Sequence, residues 1–526
     1  MAIAHLPPLI SVLTETDFYP HHPSQVELRQ THISYVFLAG EYVYKVKKPV
    51  RFAFLDYSTL EKRFHFCQEE VRLNRRLAPK IYLGVVPVYR SGERFVLGDG
   101  PLLPDNSTLA EHAVKMRRLP EDRMLNRLLV ERTVTKDDIR AIVKKLVSFH
   151  LSAATERASI YGAPEAIRRQ VTDNFEETRQ FIGQTISEKL FNRIRQDSLG
   201  FLRQHGELFK ARVQEDRVRE GHGDLRAESI CLTDEITVFD CIEFDERLRY
   251  CDVASEIAFL AMDLDFLDAS DFSEHLTAEY TTTAQDEALP LLLPFYKCYR
   301  AYVRGKVESL KGQEQEVPQL ERERALARAQ RYFRLAYRYF RGPRKAAMLI
   351  ICGLVATGKS TVARMLGDLT GFQVLSSDVV RKGLARVSPT ERAAEGYRKG
   401  IYSDPFTRLT YETLLEKAER RLEAGKGVIV DATFSDMEHR RLFLSLAAHM
   451  GAPIFFIECR AQEEEIFRRL KEREQRVDEI SDATWQIYLR QRDEFAPLTE
   501  IPDRIHLTVN TETNPRDAIE KLVESL

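Results

Sequence analysis

The residues with the clearest chemistry are Gly353, Gly358, Lys359 and Ser360, in the run Met-Leu-Ile-Ile-Cys-Gly-Leu-Val-Ala-Thr-Gly-Lys-Ser-Thr. A β-rich apolar stretch enters the motif and a helical pattern leaves it. The two glycines let the chain turn so that successive N–H groups point at phosphate oxygens, and the following helix adds the positive end of its dipole. A lysine at the position of Lys359 reaches the β- and γ-phosphates, and a hydroxyl at Ser360 suits Mg²⁺. Thr357 and Thr361 flank the same turn. The pattern predicts a site for ATP and Mg²⁺.

A phosphate cradle does not distinguish hydrolysis from transfer, so the neighbouring residues matter. Asp378 lies just past a second strand-like run, Val-Leu-Ser-Ser-Asp-Val-Val-Arg. A carboxylate there can accept the proton of a substrate hydroxyl, and Arg381 can hold a polar or anionic group. The plainer role for Asp378 is a helix N-cap. Asp431 ends the run Gly-Val-Ile-Val-Asp, where an acid can hold the Mg²⁺ shell; structural hydrogen bonding is its alternative. Arg468, Arg469, Arg473 and Arg476 crowd one helical stretch and can supply positive charge to a transferring phosphoryl group from a mobile lid, or form an ordinary charged surface. Segment 346–526 resembles the small P-loop kinases of the zeta-toxin and polynucleotide-kinase type. The resemblance implies that Asp378 is the catalytic base and that lid arginines such as Arg473 assist.

A second constellation stands upstream. His222-Gly223-Asp224 precedes two short strand-like runs, and Asp240 follows them. One carboxylate for a hydroxyl and another for Mg²⁺, on either side of a short hairpin, can also support phosphoryl transfer. The hairpin 31–48 carries Lys45 and Lys47 on one face, and the next helix carries Glu70. A strand lysine paired to a helix glutamate can position α- and β-phosphates; the spacing does not choose between the two lysines. Residues 25–310 resemble the aminoglycoside phosphotransferases and, more loosely, the protein kinases. The whole chain resembles bacterial proteins described as bifunctional aminoglycoside phosphotransferase/ATP-binding proteins. The resemblance implies Asp224 as base, Asp240 as principal metal ligand and Lys45 as phosphate anchor. Ser229 stands where those relatives carry a metal-binding Asn, and Gly40 alone stands where protein kinases have a glycine-rich phosphate cover. An N-terminal half that is catalytically weak therefore stays open. The acids Asp263, Asp265, Asp268, Asp271 and Glu274 suit either an acceptor cleft for a polycation or a solvated loop.

The elements that must position these groups follow from hydrophobic periodicity. Alternation around Gly40 predicts a hairpin over 31–48, a helix is expected over 59–77 and a strand over 111–119. Helices are expected over 136–215 and again from about 252, with two short strands between 230 and 244. Strand-like runs at 348–352, 372–376, 427–431 and 453–458 alternate with helical segments, which predicts a parallel sheet. The expected fold is an α+β bilobal protein-kinase-like domain over 1–310, a helical linker over 311–345, and an α/β P-loop domain with a parallel sheet flanked by helices over 346–526. Within the linker, 321–340 reads as a basic, aromatic-rich helix, suited to packing on one domain or, less directly, to a nucleic-acid strand.

Bulk properties narrow the class. The chain has 526 residues, 78 basic and 80 acidic, for a net charge of -2, which gives no whole-chain drive toward nucleic acid or acidic membranes. Its seven cysteines are scattered, with no CxxC pair, as suits a reducing compartment. No apolar run approaches the roughly 20 residues of a membrane span, and a cytoplasmic location is expected. The reading is an ATP- and Mg²⁺-dependent phosphotransferase with two nucleotide sites and small-molecule hydroxyl acceptors. The alternatives are an ATP-driven switch with a pseudokinase N-terminal half, and a nucleic-acid end kinase.

Overall fold

Alternating strands near the N-terminus and continuous apolar runs near the C-terminus fold into two different kinds of sheet. The computed structural model describes residues 6–52, 55–98, 106–315, 317–342, 345–387, 400–474, 484–512 and 515–525. The chain divides into two units, Met1–Ala325 and Leu326–Leu526.

In the first unit, β1 (Val26–Gln30), β2 (Ser34–Ala39) and β3 (Tyr42–Lys47) form a meander. Gly40 turns β2 into β3 at φ +61°, where a side chain would be strained. A two-residue pair follows, β4 (Arg51–Phe52) and β5 (Leu55–Asp56). Then come β6 (Tyr82–Ser91), β7 (Arg94–Leu97) and β8 (Thr108–Arg117). Six of these strands make one antiparallel sheet in the order β1-β2-β3-β8-β6-β7. Successive side chains point to opposite faces. Phe37, Tyr44 and Val46 thus join Ile10, Leu13 and Tyr19 in one core, while Leu38 and Val43 pack with Cys67 and Val71 of the helix Leu60–Asn74. By the same period Lys45 and Lys47 fall on the face of that helix.

The rest of this unit is mostly helical, with two small antiparallel pairs. β9 (Val218–Glu220) pairs with β12 (Tyr250–Asp252), and β10 (Ile230–Leu232) with β11 (Ile236–Val238). The helix Lys136–Ser152 opens with a reciprocal capping box between Thr135 and Asp138, which satisfies two otherwise orphaned N–H groups. The helix Val253–Phe266 is buried along its whole length.

The second unit is a parallel sheet of five strands: β13 (Met348–Cys352), β14 (Gln373–Ser376), β15 (Val428–Asp431), β16 (Ile454–Arg460) and β17 (His506–Asn510). Their order is β14-β15-β13-β16-β17, and every pairing is parallel. Central β13 is buried at every position, as a strand covered on both faces must be. The helices Lys359–Thr370, Ser377–Leu384, Asp404–Glu423, Met437–His449 and Glu463–Glu474 lie between strands in sequence. The fifth strand, β17, escaped the sequence reading because His506 and Thr508 interrupt its apolar pattern.

The stretch read as a linker contains the helix Gln319–Tyr339, and the division between units falls inside it. Its C-terminal part packs within the P-loop unit. Phe333, Leu335 and Ala336 are buried, and Arg331 and Arg334 pair with Asp368 at 3.0 and 2.9 Å. These aromatic and basic side chains therefore serve helix packing.

Candidate functional site

The chain leaving the C-terminal end of central β13 shapes the first site. Gly353 leaves the strand at φ +129°, and a Cβ there would stand 2.5 Å from the Cys459 carbonyl oxygen. Gly358 caps the next helix at φ +86°, with Thr511 3.1 Å from where its Cβ would lie. Protein donors take the carbonyls of the intervening loop. Thr357 Oγ1 and Lys359 Nζ both donate to Leu354 O at 2.7 Å. Arg469 donates to Ala356 O at 3.2 Å, and Thr511 Oγ1 to Thr357 O at 2.7 Å. The first N–H groups of the helix Lys359–Thr370 have no intrahelical acceptor, so this end suits an anion.

The two predicted acids lie at and just past the C-terminal ends of the neighbouring strands β15 and β14. Asp431 ends β15 in register with Ile351 of β13 and Ser376 of β14. Asp378 lies two residues beyond Ser376, in the first turn of the helix Ser377–Leu384. The N-cap is Ser376, so Asp378 does not have that role. Burial pushes the Asp378 carboxyl above the ordinary aspartate range, and the charge of Asp431 pushes it the same way. Arg381, Lys359 and Lys382 oppose the shift. Lys359, Asp378 and Asp431 thus act on one another electrostatically, an arrangement that can support phosphoryl transfer. The hydroxyl of exposed Ser360 and the Asp431 carboxylate are hard oxygen donors of the kind Mg²⁺ takes, so the residues present fit that ion.

The predicted arginines divide. Arg381 is 7% exposed and donates to Ile401 O at 2.6 Å and Thr407 Oγ1 at 3.1 Å. Its guanidinium lies 4.9 Å from the centre of the Tyr402 ring. Arg468 pairs with Glu465 and Glu472 on an exposed helix face. Arg469 grips Ala356 and Thr511 and so braces the phosphate loop from outside. The Arg473 side chain and the whole of Arg476 lie outside the described residues. Sequence reasoning missed Arg440, which is fully buried. It donates to the carbonyls of Phe434, Ala496 and Pro497 and pairs with Glu500. The adjacent Thr433 carbonyl accepts from Gly353 N at 3.2 Å, so Arg440 supports the loop that follows Asp431. Its position in an ordinary amphipathic helix carried no signal of this.

The N-terminal constellation also assembles. Both lysines meet the buried Glu70, Lys45 at Oε1 (2.9 Å) and Lys47 at Oε2 (2.7 Å). Lys47 is fully buried and pairs with Glu243, which also accepts from Tyr57. Lys45 is partly accessible and reaches Asp240 at 2.9 Å. Geometry thus separates two lysines that the spacing left equivalent. Burial lowers both lysine pKa values, but the surrounding carboxylates raise them well above the usual value. Asp240 sits at φ +64° and donates its N–H to the Tyr82 hydroxyl at 3.2 Å.

The loop after β9 is held by a residue that sequence reasoning missed. Glu256 Oε1 accepts from His222 N at 2.7 Å and Gly223 N at 2.5 Å, and its other oxygen meets His150 at 3.0 Å. Asp224 forms two hydrogen bonds with Arg226, at 3.0 and 2.8 Å, and Arg226 also pairs with Glu228 at 2.5 Å. Burial raises the Asp224 carboxyl, but Arg226 outweighs it and holds the group well below the usual range. Ser229 Oγ accepts from Arg226 N and donates to Arg226 O. The acids read as a cleft are partly interior: Asp263 accepts from Ala227 N and Asp265 pairs with Lys297.

Comparison with known proteins covers most of the chain. It is 32% identical over 464 residues to the uncharacterized protein Rv2004c of Mycobacterium tuberculosis, covering 88% of each chain. The match to uncharacterized protein Mb2027c of Mycobacterium bovis is of the same extent. The chain belongs to this family. Residues 348–498 also match a family described as an AAA domain. The C-terminal unit is therefore a P-loop domain. Among solved structures, the chain is 21% identical to an APS kinase from Mycobacterium tuberculosis, over 35% of this chain and 98% of the other, at a TM-score of 0.26. It is 18% identical to a sugar kinase from Janibacter sp., over 34% and 93%, at a TM-score of 0.27. No helix among the described residues is long and apolar enough to cross a membrane.

Proposed function

We propose that the chain is an ATP-dependent phosphotransferase whose C-terminal unit transfers the γ-phosphate of ATP to a hydroxyl of a small molecule. The observation that carries this reading is Asp378, just past β14, whose pKa is raised by burial and by the charge of Asp431 at the end of β15 and opposed by Lys359 at the start of the helix after β13. The loop Gly353–Ser360 would hold the phosphates of ATP. Ser360 and Asp431 would hold Mg²⁺, which would supply positive charge against the phosphates. Asp378 accepts the acceptor hydroxyl's proton as its oxygen forms a bond to the γ-phosphorus; the bond from that phosphorus to the β,γ-bridging oxygen breaks, and ADP leaves. Lys359 balances charge on the phosphates, and Arg381 stabilises the acceptor side.

In the N-terminal unit, a bilobal kinase-like fold would use Lys45 to anchor phosphate, Glu70 to hold Lys45, Asp240 to bind metal and Asp224 as base. The pairs Lys45–Glu70 and Lys45–Asp240 favour this arrangement. A second reading, a catalytically silent N-terminal half, is favoured by the Arg226 clamp on Asp224 and the engagement of Ser229 with Arg226.

The test uses γ-labelled ATP, purified full-length protein and a bacterial small-molecule extract, with labelled products separated from free phosphate. Wild type is run beside Lys359→Ala, Asp378→Asn and Asp224→Ala. A labelled metabolite that disappears in the first two variants and persists in the third is expected for a C-terminal kinase with a silent N-terminal half. Loss in Asp224→Ala identifies a working N-terminal site. Label found only as free phosphate, with every acceptor fraction blank, points to an ATP-driven switch.

A further inference from the structure

A pocket of about 30 Å³ lies in the helical part of the first unit, apart from both candidate phosphate sites. One ordered water needs roughly 10–15 Å³ on the same scale, so the space takes a head group of a few atoms. Its buried lining includes Asp252, Ser255, Tyr296 and Arg300, and Tyr161 and Tyr299 stand half-exposed around it.

Two features of the lining point to a ligand. The Tyr296 hydroxyl is buried and, among the described residues, has no hydrogen-bond partner, and a buried hydroxyl left unmet is destabilising. Arg300 is 6% exposed, and no described carboxylate forms an ion pair with it. Its hydrogen bonds go to Ser255 Oγ, the Gly223 carbonyl and, weakly, Cys251 Sγ at 3.8 Å. A guanidinium has five N–H donors, so donors remain. Asp252 does not answer this charge: its oxygens accept from Arg212 and from Ala254 N.

We propose that this pocket binds the oxyanion head group of a small molecule, a carboxylate or a phosphate, through Arg300 and the Tyr296 hydroxyl. Arg300 also holds Gly223, next to Asp224, so the occupant bears on the loop that carries the candidate base. The proposal concerns binding and stands whether or not Asp224 is catalytic.

Calorimetric titration of the full-length protein tests it, with benzoate, phenyl phosphate and the neutral benzamide as probes. We expect one of the anions to bind, at least tenfold more tightly than benzamide. Tyr296→Phe should weaken that binding at least fivefold, while Lys359→Ala leaves it unchanged. Benzoate alone identifies a carboxylate site, phenyl phosphate alone a phosphate site. Tyr296→Phe removes only an unmet hydroxyl and should fold; Arg300→Gln, checked by circular dichroism, should show the same loss. Absence of anion binding, equal binding of benzamide, or affinity insensitive to Tyr296→Phe overturns the proposal.

Discussion

At the residue scale, the environment of Asp378 gives a measurable signature. Burial and Asp431 raise its pKa, and Lys359 counters them. In a ¹³C NMR titration of aspartate carboxyls, Asp378 should titrate above the ordinary range. Asp431→Asn should move it down, because a negative neighbour is removed, and Lys359→Ala should move it up, because a positive one is. No change in either variant would mean that the three groups do not share a site. Lys359→Ala should also lower kcat/KM by about 10²–10³, the usual loss for one donor to transition-state charge. Lys47 behaves differently because it is wholly interior. Lys47→Met leaves Glu70 and Glu243 without that partner, and urea unfolding should show a loss of about 3–5 kcal/mol. Adding Glu243→Gln should restore part of it.

At the element scale, the phosphate loop is held by contacts on both sides. Gly353→Ala would drive a methyl into the Cys459 backbone on β16. We expect ATP affinity, read by fluorescence of a labelled analogue, to fall at least tenfold, with no comparable loss for Gly451→Ala, a turn glycine with nothing within 4 Å. Arg440 ties the segment after β15 to residues 496–500. Arg440→Leu should cost about 3–5 kcal/mol by leaving buried acceptors and Glu500 unmet. The hairpin β2–β3 and the helix Leu60–Asn74 were legible because period 2 and period 3.6 patterns are local. β17 was not, because His506 and Thr508 break its apolar pattern.

At the scale of the whole molecule, the boundary between units is a packing question. The second half of the helix Gln319–Tyr339 covers the P-loop unit, with Phe333 buried and two arginines on Asp368. A fragment over 319–526 should therefore unfold cooperatively, whereas one over 346–526 should be markedly less stable or aggregate. Equal stability of the two fragments would show that the helix is a mere connector.

Local sequence determined the phosphate loop, Asp378 just past one strand and Asp431 at the end of another, and the parallel character of the C-terminal sheet, though not its strand order. Glycine geometry, strand length and apolar continuity are properties of neighbouring residues, and they need no distant partner. The same holds for the ordered set of Lys45, Glu70, Asp224 and Asp240 as residue types. Tertiary structure alone decided which lysine is accessible and which is buried, since Lys45 and Lys47 share a strand face and differ only in what packs over them. It also decided that Arg226 holds Asp224, that Arg469 braces a loop more than a hundred residues away, and that the aromatic helix belongs to a core. These outcomes depend on which side chains meet after folding. In each case a charged or aromatic residue takes the partner that its burial requires, and spacing along the chain does not reveal that partner.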